Sequence, residues 1–186
     1  GLDIGTSGVK ALLMDEDCGV VGTTSSTLSV SRPFAGWSEQ DPADWWKAST
    51  ESVRAVIKSG NIDPAEVKGV GLSGQMHGAT LLDKNNNIIR PAILWNDGRS
   101  AAQCVELEKR EPNSRNITGN IVMPGFTAPK LVWLKELEPE NFAKVAKVLL
   151  PKDYLRFLMT GDFASDMSDS AGTLWLDVEK RAWSQK

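Results

Sequence analysis

The chain has 186 residues, room for one sizeable domain, and a formal charge of −3 from 21 basic and 24 acidic side chains. That balance provides no basic field for nucleic acid or anionic lipid, and no apolar run is long enough to span a bilayer. With 41% hydrophobic residues a packed core is available, and with one histidine, His77, a histidine-rich metal site is excluded. Any metal should therefore be a hard cation held by oxygens, as Mg2+ is. Cys18 and Cys104 are the only cysteines, and free thiols in a cytoplasmic protein are the expectation. No signal-peptide pattern opens the chain. It begins in a strand without a methionine, so at least one residue is expected ahead of Gly1. Composition leaves a homodimer open.

In chain order, Leu2 and Ile4 start a first strand, residues 5–8 turn, and Val9, Ala11 and Leu13 alternate along a second. A turn at 15–19 leads to a third strand over 20–30, and short turns imply antiparallel neighbours. Asp41-Pro42 announces a helix, with Asp41 as cap and Pro42 in the first helical position. Trp45, Trp46, Ser49, Val53, Val56 and Ile57 follow at helical spacing, and Gly60 ends it. The tryptophans at 45 and 46 are expected to pack, as are Trp37, Trp133, Trp175 and Trp183. Residues 67–72 read as an apolar strand with Gly74-Gln75-Met76-His77-Gly78 just beyond its end. Residues 79–82 and 88–90 flank a hairpin turn at 83–87, and 93–95 is a short extended piece. Further on, helices are expected over 100–111, 129–137 with Thr127 as a cap, and 153–159 closed by Gly161. A strand is expected at 148–150. Strands first, then mixed elements, predict an α/β domain: a sheet flanked by helices.

Asp3-Ile4-Gly5-Thr6-Ser7-Gly8-Val9-Lys10 carries the most chemistry. A turn with two glycines and two hydroxyls can expose backbone N–H groups to phosphate oxygens, with a carboxylate before it and a lysine after it. A plain hairpin fits the same residues. Lys10 is either a phosphate contact or a solvated strand lysine. His77 can exchange hydrogen bonds with hydroxyls, or serve structure alone. Trp95 is either an apolar wall for a ligand or a core residue with the polar Asn96, Asp97 and Arg99 behind it.

Asp-x-Gly-Thr-Ser between two N-terminal strands resembles the first phosphate loop of the ribonuclease-H-like superfamily of actin, heat-shock chaperones and sugar kinases. Six further segments sharpen the resemblance: residues 36–42, 74–78, 93–99, 125–133, 151–156 and 165–177. Together they are similar to the FGGY carbohydrate kinases, and among these to the xylulokinase branch, from Leu2 to Trp183. The resemblance implies an N-terminal lobe over residues 1–186, expected to be incomplete, with the second lobe absent from this chain. It implies ATP-dependent phosphorylation of D-xylulose by a longer parent enzyme, with ATP and Mg2+ as cofactors. Asp3 would be catalytic and hold Mg2+ through water. Thr6, Ser7, Gly8 and Lys10 would meet ATP phosphates, and Met76, His77, Trp95 and Gly125 would line the sugar site. Glycerol kinases carry Arg-Glu where this chain has Met76-His77 and Tyr where it has Gly125, which argues for a longer polyol. Ribulose, fuculose and gluconate kinases of the same family, or a non-catalytic sugar- or nucleotide-binding module, are the alternatives. No carboxylate matches the family's catalytic base, so these 186 residues alone are expected not to turn over.

Overall fold

The computed structural model describes residues 1–185. In chain order it begins with β1 (Leu2–Ile4), β2 (Gly8–Met14), β3 (Val20–Thr27), the two-residue β4 (Glu39–Gln40), helix α1 (Pro42–Gly60) and β5 (Leu72–Gly74). Four of these strands form a mixed sheet in the order β3-β2-β1-β5. β1 pairs antiparallel with β2 and parallel with β5, with Ile4 opposite both Val9 and Gly74. A parallel pair needs a crossover connection, and here β2, β3 and α1 supply it.

Alternation decides which face is covered. Leu2, Ile4, Val9 and Ala11 are buried in one cluster with Trp45, Ala48 and Val56 of α1. Asp3 and Lys10, opposite each other in register, stand exposed on the other face. Helix α1 starts as the sequence implies: the Asp41 carboxylate accepts the Ala43 N–H at 2.9 Å, and Pro42 follows it. Small residues let it lie close to the sheet. Ser52 donates to the Val9 carbonyl at 3.3 Å, and Thr24 donates to the Ser52 carbonyl at 2.6 Å.

The second half comprises β6 (Thr80–Leu82), β7 (Ala92–Ile93), α2 (Ala101–Arg110), α3 (Ser114–Thr118), α4 (Thr127–Leu137), α5 (Pro139–Phe142) and β8 (Lys147–Leu149). It ends with α6 (Pro151–Thr160), α7 (Met167–Ser170), β9 (Leu176–Asp177) and β10 (Ala182–Trp183). β4 pairs with β7 and β6 with β8. These short pairs separate two cores: Leu82 and Ala92 belong to the sheet–α1 cluster, Leu81 and Ile93 to a second cluster with Trp133 and Leu134 of α4. Among the described residues, no helix is long and apolar enough to cross a membrane. Cys18 is exposed, Cys104 is buried, and both are free thiols.

The structure differs from the sequence reading in five places. The strand expected over 67–72 begins only at Leu72, because Gly69 and Gly71 interrupt the run and leave Val67 and Val70 exposed. The third strand stops at Thr27 rather than Val30. The hairpin around 83–87 forms, closed by the Asp83 N–H on the Asn87 carbonyl and the Ile89 N–H on the Leu81 carbonyl, each at 3.0 Å, but its ladder is one bridge, Leu82 to Ile88, and the other edge of β6 pairs with β8. Trp46 is on the solvent side of α1 and Trp183 is also exposed, so only Trp45 of the adjacent pair packs. Thr127 is not a cap but the first residue of α4, following Phe126, and its hydroxyl is used elsewhere.

Trp45 is fully buried, and its indole N–H donates to Gln40 at 3.0 Å. Trp45→Ala should lower stability by about 3–5 kcal/mol, and Asp41→Ala by about 1 kcal/mol, in urea denaturation. Equal losses for the two would contradict this division between core and cap.

Candidate functional site

Because β1 and β5 are parallel neighbours, the turn after Ile4 and the loop after Gly74 leave the sheet at the same edge. Crevices at the carboxyl ends of such strands are where α/β sheets hold ligands. The Gln75 N–H donates to the Ile4 carbonyl at 2.8 Å, which carries the pairing one residue into the loop. Side chains then tie the two segments together. Thr6 donates its hydroxyl to Gln75 Oε1 at 3.0 Å, Gln75 Nε2 donates to Gln40 Oε1 at 2.8 Å, and Gln40 Nε2 donates to the Thr6 carbonyl at 2.7 Å. This closed circuit is largely buried, where each bond is stronger and each unmet partner more costly.

The turn itself is closed by Gly5 N–H donating to the Gly8 carbonyl at 3.0 Å. The N–H groups of Thr6 and Ser7 find no acceptor among the described residues. Neither does the Asp3 carboxylate find a donor, nor the Lys10 ammonium or Ser7 hydroxyl a partner, among them. Consecutive unengaged N–H groups in a tight turn make a concavity for anionic oxygens. Thr6 behaves differently from its neighbours. Its hydroxyl also accepts the Trp95 indole N–H at 2.9 Å, so the protein already occupies it.

Trp95 is 40% exposed, so it is a surface aromatic and not a core residue. Its backbone packs so close to Gly125 that a Cβ there would overlap the Trp95 carbonyl, which is why that position tolerates only glycine without a backbone shift. Behind Trp95, Asp97 and Arg99 turn inward rather than toward the crevice. Buried Asp97 accepts from the Ser38 N–H at 2.6 Å and pairs with Arg99, whose guanidinium stacks 3.6 Å from the Trp37 ring centre and pairs with Glu39.

Met76 is exposed, and His77 is half-buried with a left-handed backbone, φ 62°. The imidazole meets the Phe126 ring edge-on at 4.6 Å and lies against Gly172, where a Cβ would overlap it. Its Nδ1 is buried without a partner. Burial, and next the nearby Lys130 charge, push the imidazole down to about 4, with the Gly172 backbone acting the other way. It is therefore neutral near pH 7. Asp166, Ser168 and Asp169 do not join this site. Asp166 caps α7 by accepting the Asp169 N–H at 2.9 Å, and it joins Asp153 and Asp169 around the Lys152 ammonium.

Thus the structure brings Thr6, Met76, His77, Trp95 and Gly125 into one connected region, with Ser7 in the adjoining turn and Asp3 and Lys10 on the open sheet face beside it. A cavity of about 550 Å³ reaches Thr127 and Thr173 behind the site, but none of the eight residues just named, nor Gly8, lines it. The candidate site is an open surface. Gln40, Gln75, Phe126, Thr127, Lys130 and Gly172 were not picked out as site residues from sequence. All six sit inside the recognised segments 36–42, 74–78, 125–133 and 165–177, which was the available signal, but nothing local marks these positions within them.

A sequence model of the FGGY family of carbohydrate kinases, N-terminal domain, matches residues 1–186. The chain belongs to the FGGY carbohydrate kinases. Like other members, it has a mixed sheet flanked by helices in the actin-like, ribonuclease-H-like arrangement. It is 58% identical over 184 residues to the xylulose kinase of Escherichia coli K12, covering 99% of this chain and 38% of that one. The crystal structure of a Brucella ovis "xyloylose kinase" superimposes with a TM-score of 0.96 at 58% identity, over 99% of this chain and 38% of the other. A gluconate kinase of Lactobacillus acidophilus superimposes at 0.89 with 26% identity, over 100% and 37%. The chain spans about 38% of the length of the curated xylulose kinases of Escherichia coli K12 and Klebsiella pneumoniae that it matches.

An NMR titration should find the His77 imidazole titrating near 4. Because the folded state then binds fewer protons than the unfolded one between about pH 4 and 6.5, His77 should erode stability as pH falls through that window, and His77→Gln should remove that slope. A midpoint near 6.5 would contradict the burial described.

Proposed function

We propose that this chain is the N-terminal lobe of a cytoplasmic kinase that transfers the γ-phosphate of ATP to D-xylulose, giving D-xylulose 5-phosphate. The observation that carries the reading is the placement of unengaged Thr6 and Ser7 N–H groups and a free Asp3 carboxylate at the same sheet edge as the Met76–His77 loop. Similarity to xylulose kinases over the whole chain supports the ketose.

In this reading the turn from Thr6 to Gly8 receives phosphate oxygens through its backbone, and Lys10 adds positive charge from the open face. The Thr6 hydroxyl holds Trp95 and Gln75 in place. Neutral His77 exchanges hydrogen bonds with sugar hydroxyls, Met76 adapts to the chain beside it, and Trp95 gives the carbon skeleton an apolar wall. Gly125 lets the loop before α4 come up against the Trp95 carbonyl, which sets the position of that wall.

Among the described residues no three carboxylate, histidine or cysteine groups gather to hold a metal by themselves. Mg2+ is commonly held by one or two carboxylates together with substrate phosphates and water, and a single free Asp3 beside a phosphate turn fits that arrangement. Asp3 would hold it through water, and the ion when bound would offset charge developing on the transferred phosphoryl group. The base for the attacking hydroxyl and the adenine pocket are assigned to the remainder of a full-length kinase, not to any residue here.

In the full-length enzyme, Asp3→Asn should lower kcat at least about 100-fold while shifting unfolding free energy by less than about 0.5 kcal/mol. Near-normal kcat would refute the role. The 186-residue chain, free of host kinases, should form no D-xylulose 5-phosphate; sustained turnover would contradict the assignment of the base elsewhere. On a panel of D-xylulose, ribulose, fuculose, gluconate and glycerol, kcat/KM should be highest for D-xylulose, and a preference for another polyol would move the enzyme within its family. No phosphorylation of any of them by the full-length protein would leave a binding module.

A further inference from the structure

Lys130, on the first turn of α4, is 1% exposed, the most buried of the chain's lysines among the described residues. Its ammonium makes no ion pair within 4 Å among those residues and one hydrogen bond, from Nζ to the His77 carbonyl at 2.8 Å. Burying a cation without a contacting anion costs several kcal/mol, whereas leucine or methionine would fill the same helix position at no such cost. A second donor converges on the same atom: Thr127 Oγ1 reaches the His77 carbonyl at 3.1 Å. Two side chains one helical turn apart thus grip one backbone oxygen.

The residue they grip is in an unfavourable conformation. A left-handed backbone at a residue with a Cβ costs roughly 1–2 kcal/mol, and it persists where the surroundings over-determine it. Here the ring is fixed on two sides by Phe126 and Gly172, while the carbonyl is fixed by Lys130 and Thr127. Turning the peptide after His77 would break both bonds to its oxygen and strand the buried amine.

We propose that Lys130, with Thr127, is a positioning residue for the sugar site, holding the His77 carbonyl so that the imidazole keeps the orientation in which it meets the ketose. The proposal rests on the assignment of His77 to sugar binding made above. Burial, opposed by Asp97 and reinforced by Arg99, brings the Lys130 amine down to about 7, as expected for a group kept for one hydrogen bond and not for an ion pair.

The test uses the full-length kinase with Lys130→Met, Thr127→Val, Thr127→Ser and His77→Ala, measuring KM for D-xylulose, KM for ATP and kcat, with thermal unfolding as a check on folding. Lys130→Met should raise KM for the ketose up to about tenfold, as loss of one hydrogen bond to a buried carbonyl implies, and leave KM for ATP within about twofold. Thr127→Val should shift the ketose KM in the same direction by less, and Thr127→Ser, which keeps the donor, should restore it. Unchanged ketose KM in Lys130→Met, or equal shifts in both KM values, would overturn the proposal. Should Lys130→Met fail to fold, Thr127→Val decides: unchanged ketose KM there overturns it. If His77→Ala leaves the ketose KM unchanged, the sugar-site reading itself fails. If His77→Ala raises it while the Lys130 and Thr127 variants do not, only the positioning role falls.

Discussion

The parallel pairing of β1 with β5 is the constraint on which the rest of the site depends. It sets Ile4 opposite Gly74, so two loops about seventy residues apart in sequence leave the sheet at one edge. A one-residue slip would place Asp3 among the buried leucines and turn Leu2 and Ile4 to solvent, so burial under α1 fixes the register. The Gln40–Gln75–Thr6 circuit then converts a shared edge into a fixed distance between the two loops. Trp45 belongs to the same arrangement, because its indole N–H holds Gln40 from the core side.

Polar groups around the site divide into two kinds. Those at the open surface (Asp3, Ser7, Lys10 and the turn amides) are left unengaged by the protein. Those beneath it turn to partners within the protein: Asp97 and Arg99 pair against Trp37, and Lys130 donates to the His77 carbonyl. The division has an electrostatic consequence. Burial keeps His77 neutral near pH 7, so the loop presents a hydrogen-bonding group without adding charge to the site.

Much of this was legible in sequence. Alternation at Leu2, Ile4, Val9 and Ala11 showed which face of the sheet would be covered, and Asp41-Pro42 marked the helix start to the residue. Motif residues Asp3, Thr6, His77 and Trp95 were singled out mainly by family resemblance, since locally a plain hairpin, a structural histidine and a core tryptophan fit as well. What could not be read was long-range. The β6–β8 pairing sets Leu81 opposite Val148, and the local hairpin signal at 83–87 gives no sign of that second partner. Thr127 looks like a cap because its type suits one, yet its hydroxyl goes to a carbonyl fifty residues away. Lys130 sits on a helix where lysine ordinarily faces water, and nothing local announces that this side is the core. The Thr6 hydroxyl resembled a phosphate donor, and the structure shows it spent on Trp95 and Gln75.

The most direct check is a crystal structure of the full-length kinase with D-xylulose and a non-hydrolysable ATP analogue. The account places phosphate oxygens within hydrogen-bonding distance of the Thr6 and Ser7 backbone N–H groups, and a ketose hydroxyl on the His77 imidazole. Phosphates held away from that turn, or a ketose that touches neither His77 nor Trp95, would contradict it.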